Sequence, residues 1–274
     1  MTDRAGKAVR AQAAAASADG GREPAIRVVD LTKEYPGGVQ ALGGVSFDVP
    51  AGELTSVIGP SGCGKTTTLK MIAGLVEPTA GQIHVQGGVV RGPGPERAFV
   101  FQDFALMPWA TVLRNVAFGL ELRGVPRKQR EAVARENNAN INLTVFEQAY
   151  PHQLSGGMRQ RVGLARALAV DADILLMDEP FASVDEQIRR KFQEDLLTLL
   201  SEERKTVVFV THSIEEAVYV SDQIVILTRG PGRVSKVVRP EIARDGSPDE
   251  IRRNPGYLDA VESIWSDLRS YLET

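Results

Sequence analysis

Gly59-Pro60-Ser61-Gly62-Cys63-Gly64-Lys65-Thr66 decides the fold, because its spacing satisfies the phosphate-cradling pattern G-x-x-x-x-G-K-[S/T] at every position. Glycines at the loop's turns let backbone N–H groups point inward at a β-phosphate. Lys65 brings a positive charge to the β- and γ-phosphates, and the Thr66 hydroxyl is a hard oxygen ligand for Mg²⁺. The flanks agree. Leu54-Thr55-Ser56-Val57-Ile58 reads as a short buried strand, and Leu69, Ile72 and Ala73 follow at helical spacing, so the phosphates would sit on a helix N-terminus. A plain Gly-rich turn carrying a solvated lysine would not need a strand before it and a helix after it. The sequence therefore implies binding of a nucleoside triphosphate.

Composition narrows the class. With 274 residues, 43% hydrophobic and 24% charged, the chain has room for one large or two modest domains and a substantial core. A net charge of -3 gives no basic excess, which argues against nucleic acid as the main partner. No run approaches the roughly 18 apolar residues of a membrane span. Residues 1–20 are basic but lack an apolar core and cleavage signal, so a cytoplasmic chain is expected. The single cysteine, Cys63, excludes an internal disulfide; it is either a thiol close to bound nucleotide or a small residue that fits the loop.

Residues 1–24, rich in Ala, Gly and Arg, read as a disordered leader. Ile26–Leu31 and the alternating Val45–Val49 predict an antiparallel β edge, with Tyr35 in the turn between them either packing or stacking on an adenine ring. Short strands follow at Gly81–Val85 and Ala98–Phe101, the second ending at Gln102. From Asp103 to about Gln153 the pattern becomes helical, with rows Val112, Val116, Leu120 and Trp109, Leu113, Ala117. Asn137, Asn138, Asn140 and Asn142 should end the last of these helices early or leave it weak. Ser155 is placed as N-cap of a helix over Met158–Val170, with Gly156 and Gly157 baring N–H groups in a second potential anion site. Ile174–Met177 is a fully apolar strand that delivers Asp178 and Glu179 to its C-terminal end. A helix at Gln187–Leu200, a strand at Thr206–Val210 ending at His212, a helix at Ile214–Val220 and a strand at Gln223–Leu227 complete a doubly wound α/β pattern. Beyond a possible strand at Val234–Val238, the residues Leu258, Val261, Ile264, Trp265 and Leu268 predict the apolar face of a terminal helix, packed on the parent domain or docked to a partner.

At Leu154-Ser155-Gly156-Gly157-Met158-Arg159-Gln160-Arg161, taken with the phosphate loop and Ile174–Glu179, the chain resembles the ATPase subunits of ATP-binding-cassette (ABC) transporters. The resemblance covers about residues 26–230. Phe101–Trp109, Tyr150–Gln153 and Thr228-Arg229-Gly230-Pro231-Gly232-Arg233 look most like the nitrate/sulfonate/taurine importer branch. It implies an α/β fold: a P-loop NTPase (RecA-like) core with parallel sheet, an antiparallel β edge and an inserted α-helical subdomain. The expected limits are 25–102 and 165–229 for the ATP-binding core, 103–164 for the helical subdomain, and 230–274 for a C-terminal tail with an amphipathic helix.

The resemblance also implies roles. ATP would contact Tyr35, Gly59, Pro60, Ser61, Gly62, Cys63, Gly64, Lys65, Thr66 and Thr67; Thr66, Gln102 and Asp178 would hold Mg²⁺ directly or through water. Glu179 would deprotonate the attacking water, with His212 and Lys65 completing the catalytic set and Asp185 ending the loop after the acidic pair. Leu154, Ser155, Gly156, Gly157 and Gln160 would meet the ATP of a second copy in a head-to-tail homodimer. Separate integral-membrane permease subunits, and indirectly a solute-binding protein, are the implied partners, with no nucleic acid. The implied location is peripheral, on the cytoplasmic face of the inner membrane. One departure stands out: the branch carries a Leu-rich helix and a Gly-containing turn where this chain has its asparagines. The competing function is a non-transport ABC ATPase, such as one in iron–sulfur assembly.

Overall fold

The structure is a computed structural model describing residues 23–181, 189–191, 193–194, 196–198, 205–244 and 246–272. The readings made for residues 1–22, for Asp185 and for much of the helix at 187–200 lie outside the described residues. The chain groups into two compact units, one holding the described residues up to Gly94 and from Leu197 onward, the other Pro95–Leu196.

In the first unit, β1 (Ile26–Tyr35), β2 (Val39–Val49), β4 (Ala80–Val85) and β5 (Gly88–Val89) form an antiparallel sheet in the order β2-β1-β4-β5. β1 and β2 are longer than the apolar alternation indicates, because they continue as a hairpin whose outer residues, Glu34 and Gln40 among them, pair through backbone. A second set of strands surrounds β3 (Leu54–Ile58), which pairs in parallel with β8 (Thr206–Val210) and β9 (Gln223–Leu227), while β10 (Val234–Val238) runs antiparallel to β9. All five residues of β3, β8 and β9 are buried, as expected of strands covered on both faces. The helices of this unit are α1 (Lys65–Ile72), α5 (Ile214–Val220), α6 (Pro248–Arg253) and α7 (Pro255–Leu272). On α7 the buried face is Tyr257, Ile264 and Leu268, whereas Leu258 and Trp265 are exposed. The expected face was thus rotated: the phenol of Tyr257 finds a polar partner inside, which hydropathy alone does not register.

The second unit pairs β6 (Arg97–Val100) in parallel with β7 (Ile174–Asp178) and carries α2 (Val112–Leu122), α3 (Arg127–Asn140) and α4 (Gly156–Ala169). Its core gathers Val112, Val116, Ala134, Ile141, Leu143 and Leu154. Trp109 lies before α2 and is 72% exposed, so it takes no part in the row read for it. Contrary to an early end, α3 runs through Asn137 and Asn138 to Asn140. Asn137 donates to the Val133 carbonyl one turn back (3.0 Å), so its side chain joins the helix instead of competing with it.

Two buried asparagines in this unit contrast sharply. Asn115 is fully buried, accepts from Met107 N (2.8 Å), and donates to the carbonyls of Met107, Ala110 and Thr111. Asn138 is as deeply buried, yet neither amide atom has a hydrogen-bond partner among the described residues. An unsatisfied buried amide costs about 1–3 kcal/mol. Asn138→Leu, which keeps the branched shape, is therefore expected to raise stability by about 1–3 kcal/mol in urea melts, and Asn115→Leu to lower it by at least as much.

Candidate functional site

The phosphate loop joins the end of β3 to α1, whose N-cap Gly64 has φ 92°. A Cβ there would stand 2.4 Å from Leu42 Cδ2, so only glycine lets the loop settle on β2. Lys65 is 7% exposed, and its ammonium donates to the carbonyls of Gly59 (2.7 Å) and Pro60 (3.1 Å), which holds it across the loop. Cys63 is wholly buried beneath. Burial pushes its thiol above the ordinary range, against the opposing pull of Lys65. Tyr35 is brought to the same place: its hydroxyl lies 3.3 Å from Thr67 Oγ1, the residue is 37% exposed, and Lys33 Nζ sits 5.3 Å from the ring centroid. An open aromatic face beside α1's first turn suits a nucleobase.

The turn Thr228–Arg233 supports this loop, a role its residues do not advertise in sequence. Gly232 donates to Ala41 O (3.0 Å) and accepts from Gly43 N (2.9 Å). A Cβ on Gly232 would lie 2.0 Å from the Cys63 carbonyl, so any side chain there would displace the phosphate loop.

His212 follows β8 in an exposed position, and both its neighbours are fixed. Buried Thr211 bonds Glu216 Oε2 (2.5 Å), Ser213 N donates to Thr211 Oγ1 (3.0 Å), and Ser213 Oγ caps α5 by accepting from Glu216 N (3.1 Å).

In the second unit, Asp178 is the buried last residue of β7, and Glu179 follows at φ 46°. A left-handed non-glycine residue costs about 1–3 kcal/mol and marks a backbone held for a purpose. Here the bend brings Glu179 Oε2 to 3.5 Å from Gln102 Nε2, the outer limit of a hydrogen bond. Beyond Gln102, Phe104 (φ 61°) and Ala105 (φ 41°) are also left-handed, and their carbonyls are clamped by Arg166 at 2.6 and 2.8 Å. Burial draws the Arg166 guanidinium below its ordinary value while Asp103 pulls it back up. Arg166 and Asn115 thus fix the segment after Gln102, and sequence reasoning missed both. The only available signal was a charged or amide side chain on a helix face otherwise apolar.

Ser155 caps α4, accepting from Met158 N (3.3 Å), with Gly156 and Gly157 partly open in the first turn. Of the rest of the expected contact set, Gln160 is 1% exposed with neither side-chain amide atom hydrogen-bonded among the described residues, and Leu154 is 5% exposed within the core.

A family model described as ABC transporter matches residues 42–182. This chain belongs to the ABC transporter family. The cassette is similar to the uncharacterized ABC transporter ATP-binding protein MJ0412 of Methanocaldococcus jannaschii, 51% identical over 80% of this chain and 83% of that protein. It is also similar to the taurine import ATP-binding protein TauB of Chromobacterium violaceum, 46% identical over 87% of this chain and 93% of that one. Among solved structures, it matches the dimeric post-hydrolysis state of the ATP-binding cassette MJ0796 bound to ADP and Pi. The TM-score is 0.70 at 33% identity, over 78% of this chain and 98% of that chain. The fold is therefore the α/β P-loop NTPase cassette, with its antiparallel sheet and helical insertion, and the chain is an ATP-hydrolysing ABC ATPase.

For this ABC cassette the burial and raised pKa of Cys63 have a direct consequence. Thiolate is scarce below the folded-state pKa, so the folded protein at pH 7 is expected to resist iodoacetamide under conditions that fully label the urea-unfolded chain. Labelling of the folded chain should begin only at a pH above the one at which an ordinary thiol, with a pKa of about 8.5, is labelled.

Proposed function

We propose that this ABC cassette is the ATP-hydrolysing subunit of an importer for a small anionic solute of the taurine or sulfonate type, acting through separate permease subunits. The 46% identity to TauB of Pseudomonas syringae pv. tomato, over 89% of this chain and 95% of that protein, carries the reading. These import relatives favour it over iron–sulfur assembly. Among the described residues no helix is long and apolar enough to cross a membrane, and this reading gives the membrane path to the permease subunits. A peripheral place on the cytoplasmic face follows, with a solute-binding protein feeding the permease from the far side.

The chemistry assigns a task to each residue. The loop amides and Lys65 neutralise charge on the β- and γ-phosphates, and Tyr35 supports the base. Glu179 takes a proton from water as its oxygen attacks the γ-phosphorus and the bond to ADP breaks; His212 holds the γ-phosphate and that water in register. Thr66, Gln102 and Asp178 supply the hard oxygens that Mg²⁺ prefers, and the ion, when bound, offsets phosphate charge. The glycines of the loop and the oxygen donors present fit ATP with Mg²⁺. Ser155, Gly156 and Gly157, at the N-terminus of α4, close on the nucleotide of a second copy, so ATP joins a head-to-tail homodimer and hydrolysis releases it.

A cleft of about 400 Å³ in the helical unit suits the permease. Arg114, Arg127, Arg130 and Arg135 line it, opposed by Glu121 and Glu131 in the lining and by Glu147, which pairs with Arg135 at 3.4 Å, so that four arginines face three glutamates. Each lining glutamate is shared between two arginines, Glu131 with Arg127 and Arg135, Glu121 with Arg114 and Arg130. The surplus positive charge favours a permease segment bearing carboxylates.

Glu179→Gln is expected to lower ATP turnover about a hundred- to ten-thousandfold while ATP binding persists, and phosphate release at the wild-type rate would refute the assignment. Reversing Arg130 and Arg135 together to Glu is expected to abolish co-purification with the permease and taurine uptake in a deletion strain; retained uptake would place docking elsewhere.

A further inference from the structure

The terminal helices α6 and α7 have no task in the proposed reaction, yet the groups they bury converge on α5. That helix has only seven residues, too few to be stable by itself, so its first turn is as rigid as its packing makes it. The same turn fixes both neighbours of His212 through Thr211, Ser213 and Glu216. Tyr257, 5% exposed, donates its phenol proton to the Glu215 carbonyl at 3.1 Å, three residues beyond His212. That carbonyl has a second lone pair available beyond its helical bond. One turn further along α5, the Arg252 guanidinium lies 4.1 Å from the centroid of the Tyr219 ring. Ile264 and Leu268 bury the same face of α7, and Lys236 of β10 pairs with Asp267 at 2.9 Å. Among the described residues Tyr257, Arg252 and Asp267 therefore fasten these two helices by polar contacts, and the first two act on α5.

We propose that Tyr257 is a positioning residue for His212, bracing the first turn of α5 so that the histidine is held in its working orientation. The inference rests on the role given to His212 above. In it, Tyr257 touches no substrate and acts only through the backbone of α5, with Arg252 as a second, weaker brace.

The test uses the full-length chain. Tyr257→Phe removes one hydroxyl and keeps the ring; kcat is expected to fall about three- to tenfold, with KM for ATP within about twofold. Amide exchange in the first turn of α5 should quicken, and Arg252→Gln should change kcat in the same direction by less. In a His212→Ala background Tyr257→Phe should cause no further loss, because the brace would have nothing left to position. An unchanged kcat in Tyr257→Phe, or an equal fractional loss with and without His212, overturns the proposal. Wild-type turnover in His212→Ala alone overturns the role of the histidine itself, which separates the two failures.

Discussion

Backbone amides can be aimed at a single point only where side chains are kept away, and the phosphate loop meets that condition by contact on both sides. Gly64 rests against Leu42 of β2, and Gly232 lies against the Cys63 carbonyl while sharing hydrogen bonds with Ala41 and Gly43. The loop is therefore wedged between a strand of the antiparallel sheet and the turn that follows β9. This accounts for the need of an antiparallel sheet beside the parallel strands: it is a floor for the loop as well as an edge. It also explains why Gly230-Pro231-Gly232, remote in sequence, belongs with the nucleotide site.

Strain elsewhere follows the same logic. Glu179, Phe104 and Ala105 occupy left-handed backbone although none is glycine, and each is held by a neighbour, Gln102 or Arg166. Such positions persist only where surrounding contacts over-determine them. Asn115 and Arg166, neither of which enters the reaction, supply those contacts in the segment after Gln102. Asn138 and Gln160 show the opposite economy: among the described residues neither buried side-chain amide has a hydrogen-bond partner.

Much of this was legible in sequence, for reasons that differ by element. β3, β8, β9, β10 and α5 have the limits the pattern gives, because short apolar runs bounded by polar residues leave little freedom. β1 and β2 ran further than their apolar alternation, since a hairpin continues by backbone pairing regardless of side chain. The helix through Asn137–Asn140 survived poor propensity because Ala134 and Ile141 anchor it in the core. The burial of Gln160 and Leu154 was not legible, because a motif carries no information on accessibility. On α7 the polar tip of Tyr257 hid a core residue, whereas Trp265 and Leu258 looked like core and are not. Third-party supports such as Arg166 leave no periodic signal at all.

The one cysteine of the chain lies sealed under the phosphate loop, with no measurable exposure. The outside of the molecule is consequently a blank background for thiol chemistry. A cysteine introduced at an exposed position such as Val145, 88% open, would be the sole reactive sulfhydryl on a native chain, and a probe attached there would report distances between two copies without altering any native residue of the nucleotide site.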